Sequence, residues 1–429
     1  MKKIALISLG CAKNQVDSEA ILGLFKKPSF EITNDLNEAD AIIINTCGFI
    51  LSAKIENINT ILDALKYHKK TIVVGCLVER YLDELKKEIP EVDLWIPFKD
   101  EYQKLPGLIS NLFKDEERLP IFDLNERINN DKAITYLKIA EGCDKFCAYC
   151  AIPYIRGRFY SYPLSELVNY AKKVALKGVK ELVLIAQDPT SYGKDFKDNK
   201  VNLVSLLIEL AKIEGIESIK TLYMYPEGIS DELINFIKTN EKCSHYFDIP
   251  LQHINNKILK SMNRRDDKKT IISLINKIRK EIPDAILRTT LIVGYPGETK
   301  REFEELKKFV QEIKFNHLGV FTYSPEEGTR AYKLPHQVRE TTKNKRKKEI
   351  MEIQSRISYE LNKEIIGRIF KGIIIDKKEN EYLISCDYNA PDDVDGKVIL
   401  LKNKEHNIGD IVKVKVSKAF VYDLLVEEI

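Results

Sequence analysis

The sequence predicts an α/β protein of three successive parts, and three observations support this fold class. Short β-branched runs alternate with helical patterns up to about residue 100, and the same alternation recurs six times between residues 135 and 340. From about residue 364 only short strands with turns follow. Such alternation is typical of parallel sheets covered by helices, and the closing run is typical of a small barrel. The expected parts are an N-terminal parallel-sheet α/β domain (1–115), a central partial (βα)6 barrel (130–362) and a small antiparallel C-terminal β-barrel (363–429).

The composition is that of a soluble globular protein. Hydrophobic residues make up 44% of the chain and charged residues 31%, and no apolar run reaches the roughly 18 residues of a membrane span. Met1–Cys11 resembles a lipoprotein signal only superficially, because its short apolar stretch continues directly into a helical pattern. Thiols that are clustered but not spaced like a disulfide scaffold predict a cytoplasmic protein, with no membrane partner. The net charge of +3 is too close to neutral to imply nucleic-acid binding by bulk electrostatics.

Three strand–helix units open the chain. The predicted strands are the apolar or β-branched runs Lys3–Leu9, Ala41–Asn45 and Thr71–Val74. Each strand precedes a stretch of helical pattern, and these stretches are Asn14–Phe25, Ala53–Leu65 and Val78–Lys87. Strands connected by helices favour a parallel sheet.

Each of these three strands ends at a cysteine. Cys11, Cys47 and Cys76 take equivalent positions, and a glycine lies beside each of them. Because ligands of open α/β sheets bind at the carboxyl ends of the strands, we expect the three thiols to converge and to form a metal site. The alternative is three ordinary buried cysteines, since free cysteine is a common core residue.

The central part predicts six strands, each followed by a helix. Residues 101–133, which include Pro106, Gly107 and Pro120, are expected to form a linker or a short crossing between domains. Six βα units in about 200 residues indicate an open or partial barrel, since a closed eight-fold barrel usually needs about 250 residues. The predicted strands are Tyr136–Ala140, Glu181–Ala186, Lys220–Met224, Tyr246–Ile249, Ile286–Val293 and Leu318–Thr322.

The densest group of candidate ligands follows the first of these strands. Cys143, Cys147 and Cys150 form a Cys-x3-Cys-x2-Cys run, with Tyr149 before the last cysteine. A structural zinc site takes four ligands, and no fourth lies nearby in the sequence. Three thiolates suit a 4Fe-4S cluster that keeps one iron open for another ligand. A zinc knuckle and chance clustering are the alternatives.

A charged helix over residues 340–366 leads into the C-terminal barrel, and its basic start at residues 341–348 predicts a solvated face. Small barrels of this kind bind nucleic acid or protein. Residues 364–429 hold 13 acidic against 10 basic residues, which suits a basic protein partner better than RNA. The predicted strands are Ile369–Ile375, Glu381–Ser385, Lys397–Leu401, Ile411–Val416 and Ala419–Val426.

Together these motifs resemble the methylthiotransferase family of radical S-adenosylmethionine (SAM) enzymes over nearly the whole chain. Cys143–Cys150 is similar to the radical SAM signature. Ser8–Glu19, Asn45–Ile50, Gln187–Gly193 and Pro250–His253 are similar to the branch of the family that modifies a ribosomal protein. The resemblance implies an N-terminal cluster-binding domain, a radical SAM barrel and a C-terminal TRAM barrel.

The resemblance also implies an activity and its cofactors. Enzymes of that branch convert an aspartate of the twelfth small-subunit ribosomal protein to 3-methylthioaspartate, with SAM as both radical source and methyl donor. Two 4Fe-4S clusters are implied, one for each set of three cysteines, and the cluster in the barrel binds SAM. The implied partners are the basic ribosomal protein, free or on the ribosome, a one-electron donor such as flavodoxin or ferredoxin, and a sulfur donor. A tRNA adenosine methylthiotransferase and a non-catalytic iron–sulfur protein that binds ribosomes or RNA are the alternatives.

Other site residues are less constrained by pattern. Gln187, Gln252 and Arg288 lie at or near strand ends and are candidates for contacts to SAM, with an ion-pair role equally open for Arg288. No general acid or base is predicted, since radical chemistry does not demand one. Cys243 and Cys386 have no cysteine neighbours and are expected to be ordinary thiols.

Overall fold

The structure is a computed structural model that describes residues 1–98, 101–113, 119–120, 123–128, 133–197, 200–391 and 395–429. Within these residues the chain forms the predicted N-terminal parallel sheet, central α/β unit and C-terminal barrel. No helix among them is long and apolar enough to span a membrane. The predicted domain boundaries at residues 115 and 130 lie outside the described residues.

Five parallel strands in the order β2-β1-β3-β4-β5 form the N-terminal sheet. The three predicted strands are confirmed as β1, β3 and β4. The other two are edge strands that are too short to produce a clear sequence pattern. The strands are β1 Lys2–Ser8, β2 Phe30–Ile32, β3 Ala41–Thr46, β4 Lys70–Gly75 and β5 Leu94–Pro97, and the helices are α1 Ala12–Gly23, α2 Leu51–Leu65, α3 Cys76–Glu88 and α4 Glu101–Phe113.

Helix α4 corrects the prediction of a linker over residues 101–133. Pro106 lies inside this helix, where it removes one backbone hydrogen bond. Leu105 and Ile109 are fully buried in the core beneath the sheet. The burial of these side chains offsets the cost of the proline, which is why the local sequence indicated a break and the chain forms a helix.

The central unit is a partial barrel of six parallel strands in two sheets, β6-β9-β10 and β11-β12-β13, joined by a bridge between Ile219 and Cys243. The predicted strand positions are confirmed to within a few residues. The strands are β6 Ile134–Lys138, β7 Ala140–Glu141, β8 Tyr160–Ser161, β9 Glu181–Ile185, β10 Ser218–Thr221, β11 Tyr246–Asp248, β12 Ile286–Val293 and β13 His317–Thr322. The helices are α5 Ile152–Ile155, α6 Leu164–Ala175, α7 Leu203–Ala211, α8 Asp231–Thr239, α9 Asn256–Ser261, α10 Lys268–Glu281 and α11 Lys300–Ile313.

Five strands close into the C-terminal barrel in the order β14-β15-β16-β18-β17. Four of the five pairs are antiparallel, as predicted, whereas β16 and β18 are parallel. The parallel pair closes the barrel, because β18 returns from a hairpin with β17 to lie beside β16. The elements are α12 Glu340–Glu364, β14 Ile369–Lys377, β15 Glu381–Ser385, β16 Val398–Leu401, β17 Ile411–Ala419 and β18 Leu424–Glu428.

The basic start of α12 is only partly solvated, contrary to the prediction. Lys343 and Arg346 are buried. Lys343 Nζ donates to the Tyr323 carbonyl at 2.7 Å, and Arg346 Nη1 pairs with Glu298 Oε1 at 2.7 Å. These two cations fasten the helix to the ends of β12 and β13, which a count of charges along the helix could not reveal.

The C-terminal barrel closes the amino end of the central barrel. Glu181, the first residue of β9, accepts a hydrogen bond from Ser385 Oγ at 2.9 Å. Lys220 of β10 pairs with the same carboxylate at 3.1 Å, and both side chains of the pair are completely buried. Because the C-terminal barrel covers this end, the N-terminal domain packs at the opposite end, where the carboxyl ends of the strands lie.

A buried network of four charges joins α1 to the central barrel. We call the side chains of Asp17, Lys138, Glu141 and Arg156 the charge network. Lys138 Nζ contacts Asp17 and lies 2.8 Å from Glu141 Oε2. Arg156 pairs with Asp17 at 3.1 Å and with Glu141 at 2.8 Å, and none of the four side chains is more than 3% exposed.

A second ion-pair group joins the two domains on another side. Lys54 of α2 and Arg80 of α3 pair with Glu326, beyond the end of β13, at 3.0 and 2.9 Å. Arg80 also donates to the Glu327 carbonyl at 3.0 Å. The N-terminal domain is therefore fixed at two points above the carboxyl ends of the barrel strands.

Replacement of Arg156 by methionine should destabilise this junction. The change leaves Asp17 and Glu141 with one cation between them, and breaking a buried ion pair in this way typically costs about 3–5 kcal/mol. The single tryptophan, Trp95, lies in β5, so its fluorescence reports on the N-terminal domain. Urea unfolding of the apoprotein, followed at Trp95, should show a lower midpoint for Arg156→Met.

Arg158 provides the matched control. Its side chain is 74% exposed and pairs with the half-exposed Asp144. Since exposed ion pairs add roughly 0–1 kcal/mol, Arg158→Met should leave the midpoint nearly unchanged. Equal midpoints for the two variants would contradict the structural role assigned to the charge network.

Candidate active site

The structure brings together the three strand ends that carry Cys11, Cys47 and Cys76, which we call the first cysteine set. Cys47 directly follows β3, Cys76 begins α3, and Cys11 immediately precedes α1. Strands β1, β3 and β4 are adjacent and parallel, with Ser8 opposite Asn45 and Thr46 opposite Gly75. The carboxyl ends of the three strands therefore meet at one edge of the sheet.

Glycines allow these segments to touch. Gly10 has a φ of +95°, and a Cβ at this position would lie 2.6 Å from the Cβ of Cys47. A Cβ at Gly48 would lie 2.8 Å from the Cα of Leu77, the residue after Cys76. Contacts this short exclude any side chain, so both glycines are required for the approach of the three cysteine-bearing segments.

The thiols of the first set affect each other electrostatically. Burial, followed by the neighbouring Cys76 and Cys11, raises the pKa of Cys47 to about 12. Burial also raises the pKa of Cys76, against the opposing effect of the Arg156 guanidinium. A metal centre that binds here must displace protons from these thiols. Part of its binding energy therefore offsets the cost of forming buried thiolates.

The second cysteine set, Cys143, Cys147 and Cys150, lies in the loop between β7 and α5. Burial, together with the nearby Cys147, raises the pKa of Cys143 to about 12. Burial also raises the pKa of Cys150, and the neighbouring Cys147 and Cys143 act in the same direction. The three thiols therefore share one buried region at the carboxyl end of the barrel.

The loop after α9 holds the cysteine loop in place. The Ala148 N–H donates to the Met262 carbonyl at 2.9 Å. Asn263 Nδ2 donates to the carbonyls of Lys145 and Phe146, each at 3.0 Å. These bonds make the position of residues 262–264 depend directly on that of the second cysteine set.

The two cysteine sets face each other across the domain boundary. Cys76 packs against Ala151 and Ile155, and Ala151 directly follows Cys150. Asn14 Oδ1 accepts a hydrogen bond from Arg156 at 2.5 Å and lies 3.8 Å from the Cys76 sulfur. The carboxyl ends of two separate parallel sheets thus enclose a single region.

The donor chemistry of both sets fits iron–sulfur clusters. Each set supplies three thiols, and the described residues contain no group of three or more His, Cys, Asp or Glu side chains placed to hold one metal ion. A single zinc ion draws its four ligands into a compact tetrahedron, whereas a 4Fe-4S cluster spreads its thiolates over four irons. A 4Fe-4S cluster bound by three thiolates would keep one iron open for another ligand.

The predicted SAM contacts lie at different levels of the barrel. Gln187, just beyond β9, donates from Nε2 to Glu141 at 2.8 Å, while its Oε1 is buried without a partner in the described part of the chain. Gln252 has a φ of +69°, and its N–H donates to the Thr290 carbonyl at 2.8 Å near the carboxyl end.

Arg288 lies lower, near the amino end of β12. It pairs with Asp248 at 2.9 Å and with Asp395 of the C-terminal region at 3.2 Å. These two carboxylates occupy its guanidinium in this structure. The contact of Arg288 to SAM stays a prediction.

Two further residues lie beside the second cysteine set. The Tyr225 hydroxyl lies 3.8 Å from the Cys147 sulfur, and the Arg264 guanidinium lies 4.3 Å above the Tyr225 ring. Tyr225 was detectable as a residue that follows a predicted strand. Arg264 lies in a short loop with no periodicity, so no pattern identified it.

A cavity of about 570 Å³ lies beside the charge network, lined among others by Tyr160, Tyr162 and Tyr170. No cysteine of either set lines it. The candidate active site is therefore defined by the convergence of the two cysteine sets rather than by this cavity.

Three family models match the chain, one for each part of the fold. Residues 137–310 match the radical SAM superfamily, and residues 366–429 match the TRAM domain. Residues 3–97 match a family described as uncharacterized protein family UPF0004. The second cysteine set falls within the radical SAM match, and the first set falls within the UPF0004 match.

Three similar proteins carry the name ribosomal protein uS12 methylthiotransferase RimO. The protein of Clostridium perfringens is 48% identical, and the alignment covers 99% of this chain and 97% of that protein. The protein of Clostridium botulinum is 46% identical over the same shares. The protein of Caldicellulosiruptor saccharolyticus is 44% identical, with both chains covered completely.

Solved structures agree on the fold. The radical SAM methyltransferase TsrM from Kitasatospora setae, with cobalamin and a [4Fe-4S] cluster bound, superposes with a TM-score of 0.57 at 10% identity. That superposition covers 86% of this chain and 81% of that chain. The cobalamin-dependent SAM radical enzyme OxsB superposes with a TM-score of 0.52 at 13% identity, covering 82% of this chain and 56% of that chain. By its fold and by its identity with these relatives over nearly its whole length, the chain belongs to the RimO family of radical SAM methylthiotransferases.

Proposed function

We propose that this protein is a radical SAM methylthiotransferase that converts an aspartate of ribosomal protein uS12 to 3-methylthioaspartate. The observation that carries the proposal is the facing arrangement of two three-cysteine sets, since Cys76 packs directly beyond Cys150 against Ala151. The second cysteine set suits a cluster that generates the radical, and the first cysteine set suits a cluster that carries the sulfur close to it. The name shared by relatives that are 44–48% identical supports uS12 as the substrate.

The two cysteine sets have different roles in this proposal. The second set ligates the 4Fe-4S cluster that binds SAM, and the first set ligates the cluster that carries or relays the sulfur. When bound, the clusters and SAM supply the electron, the radical that removes a hydrogen from the aspartate β-carbon, the sulfur and the methyl group. The protein supplies placement, because the charge network fixes the distance between the two sets.

The surroundings of the second set exclude water on one side. Ala148 and Tyr149 pack against Tyr295, Tyr323 and Met262 in one apolar cluster. Tyr295 is completely buried, and its hydroxyl donates to the Ser261 carbonyl at 3.0 Å. A wall of this kind protects a reactive intermediate from side reactions with solvent.

Gln187, Gln252 and Arg288 are the proposed contacts to SAM. Gln187 is the best supported by geometry, because its unpartnered Oε1 is available to accept a hydrogen bond from a bound amino or hydroxyl group. Its Nε2 is held by Glu141, so the direction of this acceptor is fixed.

The C-terminal barrel is the proposed contact surface for the substrate. Its 13 acidic against 10 basic residues suit a basic ribosomal protein, either free or on the assembled ribosome. The other proposed partners are a one-electron donor, such as flavodoxin or ferredoxin, and a sulfur donor. The substrate and these donors make the cytoplasm the proposed location.

Alanine variants of the two cysteine sets should separate the two roles. The variant with Cys143, Cys147 and Cys150 replaced should release no 5′-deoxyadenosine from SAM after anaerobic reconstitution and reduction. The variant with Cys11, Cys47 and Cys76 replaced should still cleave SAM, contain about half of the iron, since one of two equal clusters is lost, and transfer no methylthio group. Iron analysis, product chromatography and mass spectrometry of uS12 measure these outcomes.

Cys243→Ala and Cys386→Ala are the matched controls, because both thiols are buried and neither belongs to a cysteine set. Both controls should retain the full iron content. An unchanged iron content of the first-set variant would contradict the presence of an N-terminal cluster. An absence of 5′-deoxyadenosine with the unaltered protein would support a non-catalytic iron–sulfur protein.

A deletion strain should distinguish uS12 from tRNA as the substrate. Mass spectrometry of uS12 from this strain should show the mass of the unmodified aspartate, and the strain's tRNA should keep its methylthioadenosine. Complementation with the unaltered gene should restore the modified uS12. Loss of the tRNA modification, with uS12 unaffected, would instead assign the chain to tRNA methylthiolation.

A further inference from the structure

A group of exposed cations lies at the carboxyl end of the central barrel. Their side chains have no ion pair or hydrogen bond with the described residues. They are Lys300, Arg301, Arg330, Lys333 and Arg339, and we call them the rim patch. Nearby carboxylates are already engaged, since Glu340 pairs with Lys343 at 3.0 Å and Glu304 pairs with Lys307 at 3.1 Å. The rim patch is therefore a surface of uncompensated positive charge.

The fold brings the two segments of the rim patch together. The Gly297 N–H donates to the His336 carbonyl at 3.0 Å, so the start of α11, with Lys300 and Arg301, lies beside the segment over residues 330–339. Arg339 directly precedes α12. Because both helices turn their amino ends to this place, the positive ends of their dipoles add to the field of the side chains.

The rim patch lies directly outside the second cysteine set. The Ala331 N–H donates to the carbonyl of Ala148, the residue after Cys147, at 2.7 Å. Ala331 and Leu334 pack in the same apolar cluster as Ala148 and Tyr149. The segment that carries three of the five cations is thus in direct contact with the loop that carries the three thiols.

The surface chemistry favours an acidic protein as the partner. Tyr332 lies among the cations and is 45% exposed, and an aromatic ring with arginines around it is typical of protein interfaces. Positive charge would repel the basic ribosomal protein, whose proposed contact is the acidic C-terminal barrel. The rim patch therefore suits a partner other than the substrate.

We propose that the rim patch docks the acidic one-electron donor that reduces the cluster of the second cysteine set, and this inference rests on the proposed function. The donor has to come close to that set, and the N-terminal domain covers its other side, where Cys76 packs against Ala151. Complexes for electron transfer are small and weak, and attraction between charges forms them rapidly.

The electron count of this step balances with a flavin donor. The anionic flavin hydroquinone loses one electron and becomes the neutral semiquinone, and the oxidised cluster gains that electron. No bond is formed or broken. The rim patch supplies only the placement of the donor beside the loop of the second cysteine set.

Two measurements test the role of the rim patch in Lys333→Glu/Arg339→Glu. The first is the affinity of the unreduced, reconstituted holoprotein for an acidic flavodoxin, which requires no turnover. The second is the rate of 5′-deoxyadenosine formation, driven either by reduced flavodoxin or by photoreduced deazaflavin, a small reductant that needs no docking surface. The affinity remains informative if SAM cleavage fails, and neither measurement depends on modification of uS12.

The double variant should bind flavodoxin at least about tenfold more weakly at low ionic strength, because two attractive charges become repulsive. Its flavodoxin-driven rate should fall by a similar factor, whereas its deazaflavin-driven rate should stay unchanged. Salt at about 0.5 M should remove most of the difference from the unaltered protein, since it screens exposed charges.

Lys280→Glu/Arg356→Glu is the matched control, because it has the same net charge and both residues are exposed without an ion pair in the described part of the chain. Lys280 lies in the last turn of α10, and Arg356 lies about 25 Å along α12 from Arg339. The control should behave like the unaltered protein.

Equal flavodoxin affinities for the two double variants would overturn the proposal, as would an equal loss of rate with deazaflavin. Weaker binding of small-subunit ribosomal RNA by the rim-patch variant, with its flavodoxin affinity unchanged, would assign the surface to nucleic acid and also overturn the proposal. Iron content and circular dichroism show that both variants retain their clusters and fold.

Discussion

A buried balance of two carboxylates and two cations determines how the N-terminal sheet meets the central barrel. Asp17 and Glu141 are each shared by Lys138 and Arg156, and all four side chains are almost completely removed from water. In a low dielectric, none of these charges can move away without leaving an unpaired partner. The strand ends on both sides of the network therefore keep a fixed separation, and the two cysteine sets are mounted on those ends.

The charge network also contacts residues of the candidate active site. Glu141 accepts a hydrogen bond from Gln187 and so orients it. Asn14 Oδ1 accepts a hydrogen bond from Arg156 and also lies beside the sulfur of Cys76. One carboxylate and one guanidinium thus connect the domain junction with both sides of the candidate active site. Buried ion pairs add little stability compared with apolar packing. The main contribution of the charge network is therefore to fix the relative position of the two domains.

Local patterns predicted the regular parts of the fold well, and the exceptions have physical causes. Ile286–Val293 was predicted to the residue, because a long β-branched run is visible in any short window. The helix around Pro106 was missed, because the tertiary burial of Leu105 and Ile109 overrides a local helix breaker. Lys343 was assigned to solvent, because its buried acceptor, the Tyr323 carbonyl, belongs to another element.

The sequence by itself determined the number and spacing of the cysteines, their places at strand ends and the three-part order of the fold, since all of these follow from local periodicity. Only the tertiary structure decided that the two cysteine sets face each other. The residues that enforce this arrangement are far apart in the chain, with sequence separations of 121 positions from Asp17 to Lys138 and 142 positions from Asn14 to Arg156. Contacts over such separations leave no periodic trace, and the two segments of the rim patch become neighbours only when the barrel has folded.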